Sequence, residues 1–310
     1  MIRVLISGAN GQVGADVARQ LEGRAELLAP GRETLDLADA GTIVRYVREA
    51  RPRLIVNAGA YTAVDRAEAE TDLARAVNGK APGVLAEEAR RLGALLVHYS
   101  TDYVFDGAKQ GAYVEDDTPA PLNVYGETKL EGERAVAQSG CTHLIVRTSW
   151  VYAPRGRNFL LTMLRLARER AENRVVDDQR GAPTTSLEIA RATVALIDSN
   201  ETGARSNVPL PLSSAGLERA ALHSGLYHAT ARGETTWFGF AQAIFEERSR
   251  RSSGTFAVPR VVPIPTRDYP TPARRPLNSV LSCARLRDVF GIELADWRAA
   301  LAEAISQLPA

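Results

Sequence analysis

Tyr125 and Lys129 stand four residues apart and carry the two side chains that this sequence places best for acid–base chemistry. In a helix, residues at this spacing lie on one face, so the phenol and the ammonium group can approach each other. A free tyrosine has a pKa of about 10, and a nearby cation favours the phenolate and lowers that pKa toward neutrality. The spacing therefore predicts that Tyr125 is a general acid, protonating a carbonyl oxygen while hydride reaches the carbon, with Lys129 in support. An exposed helix pair without such a role fits the same spacing.

Hydroxyl side chains follow the buried apolar run of residues 94–99. Ser100 and Thr101 come directly after this run, and Asp102 is next. Open α/β sheets bind their ligands at the carboxyl ends of the strands. A hydroxyl group at this edge could share the substrate carbonyl with Tyr125. Such a hydroxyl group supports a catalytic role for Tyr125, which the spacing to Lys129 alone does not establish.

Three glycines stand at the junction between the first apolar run, residues 2–7, and the first amphipathic stretch. Gly8, Gly11 and Gly14 form the pattern GxxGxxG rather than the more common dinucleotide-binding pattern GxGxxG. Glycines allow a tight turn here and let backbone N–H groups approach a pyrophosphate at a helix N-terminus. The predicted cofactor contacts in this turn are Gly8, Asn10, Gly11, Gln12 and Val13.

The choice of nicotinamide cofactor depends on residues at the end of the second predicted strand. An acidic residue there would hold the ribose 2′-hydroxyl of NADH, whereas a basic residue would accommodate the 2′-phosphate of NADPH. Arg32 favours NADPH, but the acidic Glu33 is adjacent to it. A solvent-exposed loop arginine without a role in binding explains Arg32 nearly as well, so NADH stays open as the cofactor. Asp36 and its neighbour Leu37 are further candidates for contact with the adenosine half of the cofactor.

Strand-like and helical stretches alternate through the first half of the chain. The predicted strands are residues 2–7, 26–30, 54–58, 94–99 and 143–148, and the predicted helices are residues 12–23, 71–92 and 123–138. Strands that alternate with helices of about ten or more residues indicate βαβ units, a parallel sheet and helices on both of its faces. The predicted fold class is therefore α/β, with a Rossmann-like, doubly wound parallel sheet.

The pattern changes after about residue 150. Helices are predicted at 158–170, 186–199 and 236–251, strands at 174–177 and 226–230, a polar loop at 200–225 and an irregular, proline-rich segment at 258–276. Residues 1–150 are predicted to form the NAD(P)-binding domain, to which residues 186–225 also belong. Residues 151–185 and 226–310 then form a smaller C-terminal α/β lobe that binds the substrate and covers a cleft.

Composition and charge exclude several classes of protein. The chain has 310 residues, is 45% hydrophobic and carries a formal net charge of +1, so no global field favours nucleic acid or an anionic membrane. No stretch resembles a signal peptide or a membrane span. The two cysteines are far apart and the four histidines lack the spacing of a metal site, so a cytoplasmic protein without a metal is expected. Only three of the 38 basic residues are lysines, which makes the retention of Lys129 informative.

Longer segments around these motifs resemble a known enzyme family. The glycine turn, the Ser/Thr pair after a strand and the Tyr125–Lys129 pair resemble the extended short-chain dehydrogenase/reductases. Within that group the chain resembles the dTDP-4-dehydrorhamnose reductases over nearly its whole length. The segments that carry this resemblance are residues 56–68, 100–107, 121–129, 147–152, 158–159, 178–184, 225–228 and 274–279.

This resemblance implies that NADPH, or NADH, delivers hydride to C4 of a dTDP-linked 4-keto sugar, giving dTDP-L-rhamnose. In the family, the residue matching Tyr125 donates the proton, the one matching Lys129 binds the nicotinamide ribose, and the one matching Thr101 orients the C4 oxygen. Positions along the cofactor match Ala58, Ala60, Tyr61 and Thr62. Positions of the sugar site match Thr101, Asp102, Tyr125, Trp150 and Asn158. A monomer or a homodimer is expected.

Other functions on the same fold differ at specific residues. The related dehydratases place Asp-Glu after the threonine, whereas here Asp102 is followed by Tyr103. An epimerase would need a further acid or base facing the sugar ring, and none is evident. A reductase of another nucleotide 4-keto deoxysugar stays open, and so does a non-catalytic regulatory subunit, although the intact Tyr125–Lys129 pair argues against the latter. Two departures from the family, Gly59 in an alanine-rich segment and the polar residues 200–225, leave the acid–base set intact.

Overall fold

A central sheet of parallel strands forms the framework of the protein. The computed structural model describes residues 1–198, 211–252 and 256–309. Its strands are β1 (Arg3–Ser7), β2 (Glu26–Leu28), β3 (Leu54–Asn57), β4 (Leu95–Thr101), β5 (His143–Thr148), β6 (Val151–Tyr152), β7 (Glu172–Val176), β8 (Arg180–Gly181), β9 (Thr184–Thr185), β10 (Gly225–His228), β11 (Thr235–Thr236) and β12 (Arg260–Ile264). Six of them pair in parallel in the order β10-β5-β4-β3-β1-β2. This arrangement confirms the predicted α/β class with a Rossmann-like sheet.

Helices connect these strands and cover the sheet. They are α1 (Gln12–Leu21), α2 (Ala40–Ala50), α3 (Val64–Ala67), α4 (Thr71–Ala74), α5 (Ala81–Leu92), α6 (Val124–Gln138), α7 (Phe159–Glu169), α8 (Ser186–Ile197), α9 (Ser214–Leu222), α10 (Trp237–Arg251), α11 (Ala284–Phe290) and α12 (Trp297–Ser306). The helix predicted over residues 71–92 is interrupted by a π-helical turn, Arg75–Lys80, between α4 and α5. Short 3₁₀ turns span Asp102–Val104 and Thr266–Asp268.

Successive side chains of β1 pack on opposite faces of the sheet. Val4 and Ile6 belong to the core that β1 shares with α1 and α8, whereas Leu5 belongs to the core shared with α2 and α5. All three side chains are fully buried. Because helices cover both faces of a parallel sheet, its central strands read as continuous apolar runs, which is why they could be located in the sequence.

A smaller α/β part is built around α7, α10 and α12, whose apolar side chains share one core. Three short pairs of strands complete it: β7 with β12, β8 with β11, and β6 with β9. The predicted division at residue 226 assigns β10 and α11 to the smaller lobe, but both elements pack with the central sheet. β10 pairs with the edge of the central sheet at β5, and Leu286 and Phe290 of α11 pack into the core beside α1. The boundaries of the two parts otherwise stay a prediction.

The predicted polar loop at 200–225 is wrong over its second half, where α9 forms. The Ser213 hydroxyl caps this helix by accepting from the Gly216 N–H at 3.1 Å, and Leu217 and Ala220 are buried. These two apolar residues face the core beside α8, which stabilises a helix in a polar stretch. Residues 200–210 of the same prediction lie outside the described residues.

Two kinds of feature are absent from the described ranges. No helix in them is both long and apolar enough to cross a membrane. Nor do these ranges hold a group of three or more His, Cys, Asp or Glu side chains placed to bind a metal ion.

Candidate active site

A cavity of about 650 Å³ opens at the carboxyl ends of β1, β3, β4 and β5. It begins at the turn between β1 and α1, where the strand order reverses, and extends to the start of α6. Open α/β sheets bind their ligands at such a position. The predicted site residues that line the cavity are Gly8, Asn10, Gly11, Gln12, Val13, Ala58, Ala60, Thr62, Thr101, Asp102, Tyr125, Lys129 and Trp150.

The turn between β1 and α1 leaves no room for a side chain at Gly8 or at Gly14. Gly8 has a φ of +69°, and a Cβ on it would lie 2.6 Å from the Gly59 Cα. A Cβ on Gly14 would lie 2.3 Å from the Gly8 carbonyl oxygen. Gly11, which has no side chain, is the N-cap residue of α1, and the first turn of the helix contains no acidic residue. The N–H groups at this end are open to an anion, so the turn fits the diphosphate of a dinucleotide.

Tyr125 is held at the start of α6 by close packing. The side-chain oxygen of Asn123 caps the helix by accepting from the Gly126 N–H at 2.8 Å. A Cβ on Gly126 would lie 2.1 Å from the Tyr103 carbonyl oxygen, so the helix approaches the turn after β4 very closely. The rings of Tyr103 and Tyr125 meet edge to face, with centroids 5.5 Å apart. These contacts place the phenol beside the Thr101 hydroxyl.

The pKa of Tyr125 moves in the direction opposite to the one expected from the sequence. Burial raises it to about 12, the hydrogen bond with Thr101 acts against this rise, and the charge of Asp102 adds to it. The expected lowering by Lys129 is wrong for this structure, because the Lys129 Nζ donates to the Tyr99 carbonyl oxygen at 2.5 Å instead. The phenol is therefore neutral at physiological pH, which is the form that can donate a proton.

Lys129 lies on the cavity wall one helical turn beyond Tyr125 and is 3% exposed. Burial lowers the pKa of Lys129 to about 8, and the carboxylate of Glu133 acts in the opposite direction. Glu133 is itself fixed by two hydrogen bonds from the Arg147 guanidinium, at 2.8 and 2.6 Å. A buried anion on the next turn of α6 thus helps to keep Lys129 charged.

Three buried side chains on the cavity wall have an oxygen atom without a partner in the described part of the chain. They are Ser100 at Oγ, Asp102 at Oδ2 and Thr148 at Oγ1. Buried polar atoms in proteins are nearly always hydrogen-bonded, so these oxygens indicate a ligand that supplies the missing partners. Burial raises the pKa of Asp102 to about 6, and the neighbouring Ser279 and Thr101 side chains act against this rise.

Four of the predicted cofactor residues, Arg32, Asp36, Leu37 and Tyr61, are not among the described residues that line this cavity. Arg32 is 73% exposed, and its Nε lies 3.4 Å from Asp36. The Leu37 side chain packs under Gly59, where a Cβ would come within 2.5 Å of it. The Tyr61 backbone is held by two hydrogen bonds with the Asn78 side chain, at 2.8 and 2.9 Å. Their contacts with a cofactor stay predictions.

Asn158, predicted at the sugar site, also lies off the cavity wall. Its side-chain oxygen caps α7 by accepting from the Leu161 N–H at 3.1 Å. Its amide donates to the Gln12 side chain at 2.8 Å and to the Ala153 carbonyl at 2.8 Å. Asn158 therefore joins the smaller part of the protein to the glycine turn, and its contact with a sugar stays a prediction.

Known proteins resemble this chain over its full length. The family model described as the RmlD substrate binding domain matches residues 2–309. A dTDP-4-dehydrorhamnose reductase of Burkholderia thailandensis is 48% identical over 310 residues, which are 99% of each chain. The Escherichia coli K12 enzyme of the same name is 40% identical over 99% of this chain and 98% of its own. The chain belongs to the dTDP-4-dehydrorhamnose reductase family.

A solved structure of this reductase family supports the same conclusion. The dTDP-4-dehydrorhamnose reductase of Bacillus anthracis, in complex with NADP, superposes with a TM-score of 0.85 at 33% identity. The match covers 99% of this chain and 100% of that one. Membership of the family, an oxidoreductase family, confirms the resemblance that the sequence motifs indicated.

The first cavity is also lined by residues that were not predicted from the sequence. They are Gly59, Val64, Tyr99, Tyr103, Thr148, Ser149, Val151, Gly156, Arg157 and Trp237. Several of these are neighbours of predicted residues, and a wider window around each motif would have included them. Trp237 is different, because its spacing with Phe240 and Ile244 indicates a core position on α10.

A second cavity of about 600 Å³ lies in the smaller part of this reductase family member. Residues of α7, β7 and the segment after β12 line it. Arg170 and Arg174 bring positive charge to its wall, and Glu172 and Asp268 bring negative charge. Arg275, also on this wall, is paired with Asp65 at 2.9 Å, and Tyr269 adds an aromatic ring. Both amide atoms of Asn173 on its wall have no partner among the described residues. The two cavities together could hold a ligand larger than either one alone.

Proposed function

We propose that the protein reduces the C4 keto group of dTDP-4-dehydro-L-rhamnose to give dTDP-L-rhamnose, with NADPH as the hydride donor. The observation that carries this proposal is the neutral phenol of Tyr125 on the wall of a cavity that begins at a diphosphate-binding turn. The relatives of 48% and 40% identity that bear this enzyme name support the choice of reaction.

Tyr125 is the general acid in this proposal. Bound NADPH supplies a hydride to C4 of the substrate. As negative charge develops on the C4 oxygen, the Tyr125 phenol gives its proton to that oxygen, and the Thr101 hydroxyl orients it by a hydrogen bond. The buried Lys129 ammonium, on the next turn of α6, binds the nicotinamide ribose in this proposal and does not lower the pKa of the phenol. A phenol with a pKa near 12 keeps its proton until the oxygen becomes basic.

The cofactor occupies the first cavity from the glycine turn inward. The open N–H groups of α1 bind its diphosphate, and Lys129 reaches the nicotinamide ribose from the opposite wall. Arg32 is exposed and only loosely paired with Asp36, so its guanidinium is available to the 2′-phosphate of NADPH. The NADP bound in the Bacillus anthracis relative supports this choice of cofactor. Residues 58–60 and Thr62 follow β3 along the same wall, with Leu37 behind Gly59. Contacts of Asp36 and Tyr61 with the cofactor are part of the proposal.

The substrate spans both cavities. Its hexose lies next to Tyr125, where the unpartnered oxygens of Ser100, Asp102 and Thr148 bind its hydroxyl groups. Its thymidine diphosphate extends into the second cavity, whose arginines suit a diphosphate.

The reaction is tested by following NADPH oxidation with a panel of nucleotide-linked 4-keto sugars. The wild type is expected to turn over dTDP-4-dehydro-L-rhamnose. The Tyr125→Phe variant is expected to bind NADPH normally and to lose about 100- to 10,000-fold in kcat, because it lacks the transferable proton. Tyr46→Phe, on the remote helix α2, is the matched control and should keep full activity.

Three results would change the proposal. Undiminished turnover by Tyr125→Phe would refute the role of the phenol. Turnover of a different 4-keto sugar alone would keep the chemistry and change the substrate. Tight NADPH binding with no turnover of any sugar in the panel would favour a non-catalytic regulatory subunit on this fold.

A further inference from the structure

Trp237 lies between the two cavities. Of the described residues that line them, only Trp237 lines both. It is the first residue of α10, and the Thr236 hydroxyl fixes this end of the helix by accepting from the Gly239 N–H at 3.0 Å. Any ligand that occupies both cavities must therefore pass this indole ring.

Contacts on several sides hold the Trp237 ring in place. It stacks on Trp150 with centroids 3.7 Å apart and an angle of 8° between the planes. Its Nε1–H donates to the Gln179 side-chain oxygen at 3.1 Å, and Gln179 in turn donates to the Thr266 hydroxyl at 3.1 Å. The Phe159 ring lies 4.7 Å away at a tilted angle. These contacts fix both the plane of the ring and the direction of its Nε1–H. An apolar side chain that only fills space in the core would need neither.

The stack also limits what Trp150 can do. Trp150 has a φ of +47°, an unusual value for a residue with a large side chain, and a Cβ on Gly181 would lie 2.5 Å from its ring. Trp237 covers one face of the same ring. A sugar therefore cannot lie flat on that face of Trp150, and the aromatic surface between the two cavities is provided by Trp237.

We propose that Trp237 is a specificity-determining residue that contacts the junction between the hexose and the diphosphate of the nucleotide sugar. This inference rests on the proposed function. The part of the indole that lines the two cavities, rather than the face stacked on Trp150, binds the C–H face of the 6-deoxyhexose. It turns the chain of atoms from the first cavity into the second, which aligns C4 with Tyr125. The contact distinguishes a nucleotide-linked sugar from the free nucleotide, and it does not touch the cofactor diphosphate at the glycine turn.

The test compares Trp237→Ala, Trp237→Leu and Trp237→Phe with the wild type. Isothermal titration measures binding of dTDP-L-rhamnose, thymidine 5′-diphosphate and NADPH, and steady-state kinetics gives KM and kcat. The Ala and Leu variants are expected to bind dTDP-L-rhamnose about tenfold more weakly and to raise KM by a similar factor. Thymidine diphosphate is affected less and NADPH not at all. The Phe variant keeps a ring and should lie near the wild type.

The fold of each variant is checked by far-ultraviolet circular dichroism and thermal unfolding, and a separate optical signal reports the stack of Trp237 on Trp150. Two parallel indole rings in contact give exciton-coupled circular dichroism, which every Trp237 variant should lose. Trp297→Phe removes the third tryptophan of the chain, which lies away from both cavities, and should leave that signal unchanged. Gln179→Leu leaves the rings in place but frees the indole edge, and a rise in KM smaller than that of Trp237→Ala is expected.

The outcomes separate this inference from the proposed function. A wild type that neither binds dTDP-L-rhamnose nor reduces a 4-keto sugar overturns both. A wild type that turns over normally, with an unchanged KM in folded Trp237→Ala and Trp237→Leu, overturns only the role of Trp237. Equal weakening of NADPH and dTDP-L-rhamnose also overturns it, because the residue would then act on the whole fold.

Discussion

Asp102 combines deep burial with a carboxylate oxygen that has no partner in the described structure. Its other oxygen accepts from the Thr101 hydroxyl at 3.0 Å, which fixes the carboxylate on the wall of the first cavity. Because burial raises the pKa of Asp102 to about 6, this group is protonated in acid and ionised at neutral pH. Only the ionised form has both oxygens available to accept hydrogen bonds from sugar hydroxyls.

The pKa of Asp102 predicts a pH dependence of the reaction. The value of kcat/KM should rise with pH through about 6 and then level off, since it reports ionisations of the free enzyme. Asp102→Asn should remove this acidic limb and lower the plateau by about tenfold or more, because a hydrogen bond to a charged acceptor is lost. A pH profile from 4.5 to 8, at roughly half-unit steps, measures both effects. An identical acidic limb in Asp102→Asn would assign the ionisation to another group.

Arg32 is the single side chain that we propose selects the cofactor. Its exposed guanidinium is proposed to bind the 2′-phosphate, so Arg32→Ala should raise the KM for NADPH by about tenfold and leave that for NADH unchanged. Arg45→Ala, an exposed arginine on α2, is the matched control. Equal effects on NADPH and NADH would contradict the proposed contact.

At the scale of secondary structure, the elements with strong local signals could be predicted from the sequence. The continuous apolar runs of β1, β3, β4 and β5 and the helical spacing of α6 are visible in the local sequence. Because the site sits where these elements end, predicting them also located the glycine turn, Thr101 and the Tyr125–Lys129 pair. For this reason, most residues that line the first cavity could be predicted from the sequence.

Weaker elements escaped prediction for physical reasons. Helix α2 is absent from the predicted elements, although Asp39 caps it and Ile43 and Val47 are fully buried, because it presents only two buried residues to the core. Helix α9 forms in a polar stretch since tertiary packing on α8 outweighs local preference.

Two properties of the site depend on packing between distant parts of the chain. The pKa of Tyr125 is raised because α6 is buried against the turn after β4. The spacing of residues in the sequence does not reveal this burial. Trp237 reaches Trp150 because β11 pairs with β8, which sets Thr235 opposite Gly181 at the edge of the Trp150 ring. Neither property has a local sequence signal.

At the scale of the whole molecule, hydrogen bonds join the smaller part directly to the cofactor turn. The Asn158 amide donates to the Gln12 side chain, and the Arg155 guanidinium donates to the Gln12 carbonyl at 2.8 Å. Arg155 also pairs with the buried Asp16 at 2.8 Å, one turn into α1. Gln12 is the first residue of α1 and lines the cofactor cavity. A ligand that orders this turn should therefore also stabilise α7, which begins at Asn158.

Hydrogen exchange can test this coupling between the two parts. Saturating NADPH should slow amide exchange in α1 and also in α7, although α7 contributes no residue to the described wall of the first cavity. Asn158→Ser keeps an oxygen that can cap α7 but loses the amide donor to Gln12. In this variant the NADPH effect should persist in α1 and disappear from α7. Helix α12, which packs mainly on α10 and β9, is the internal reference.

A second variant separates the cap from the tether. Asn158→Ala removes both and should cost about 1 kcal/mol more than Asn158→Ser, the usual value of an N-cap side chain, which is about 1.5 °C in Tm for a chain of this size. The two variants should lose the NADPH effect on α7 equally, because both lack the donor to Gln12. Protection of α7 that survives in Asn158→Ser would mean that Arg155 alone carries the coupling. Loss in Asn158→Ala only would make the cap, rather than the tether, the connection between the two parts.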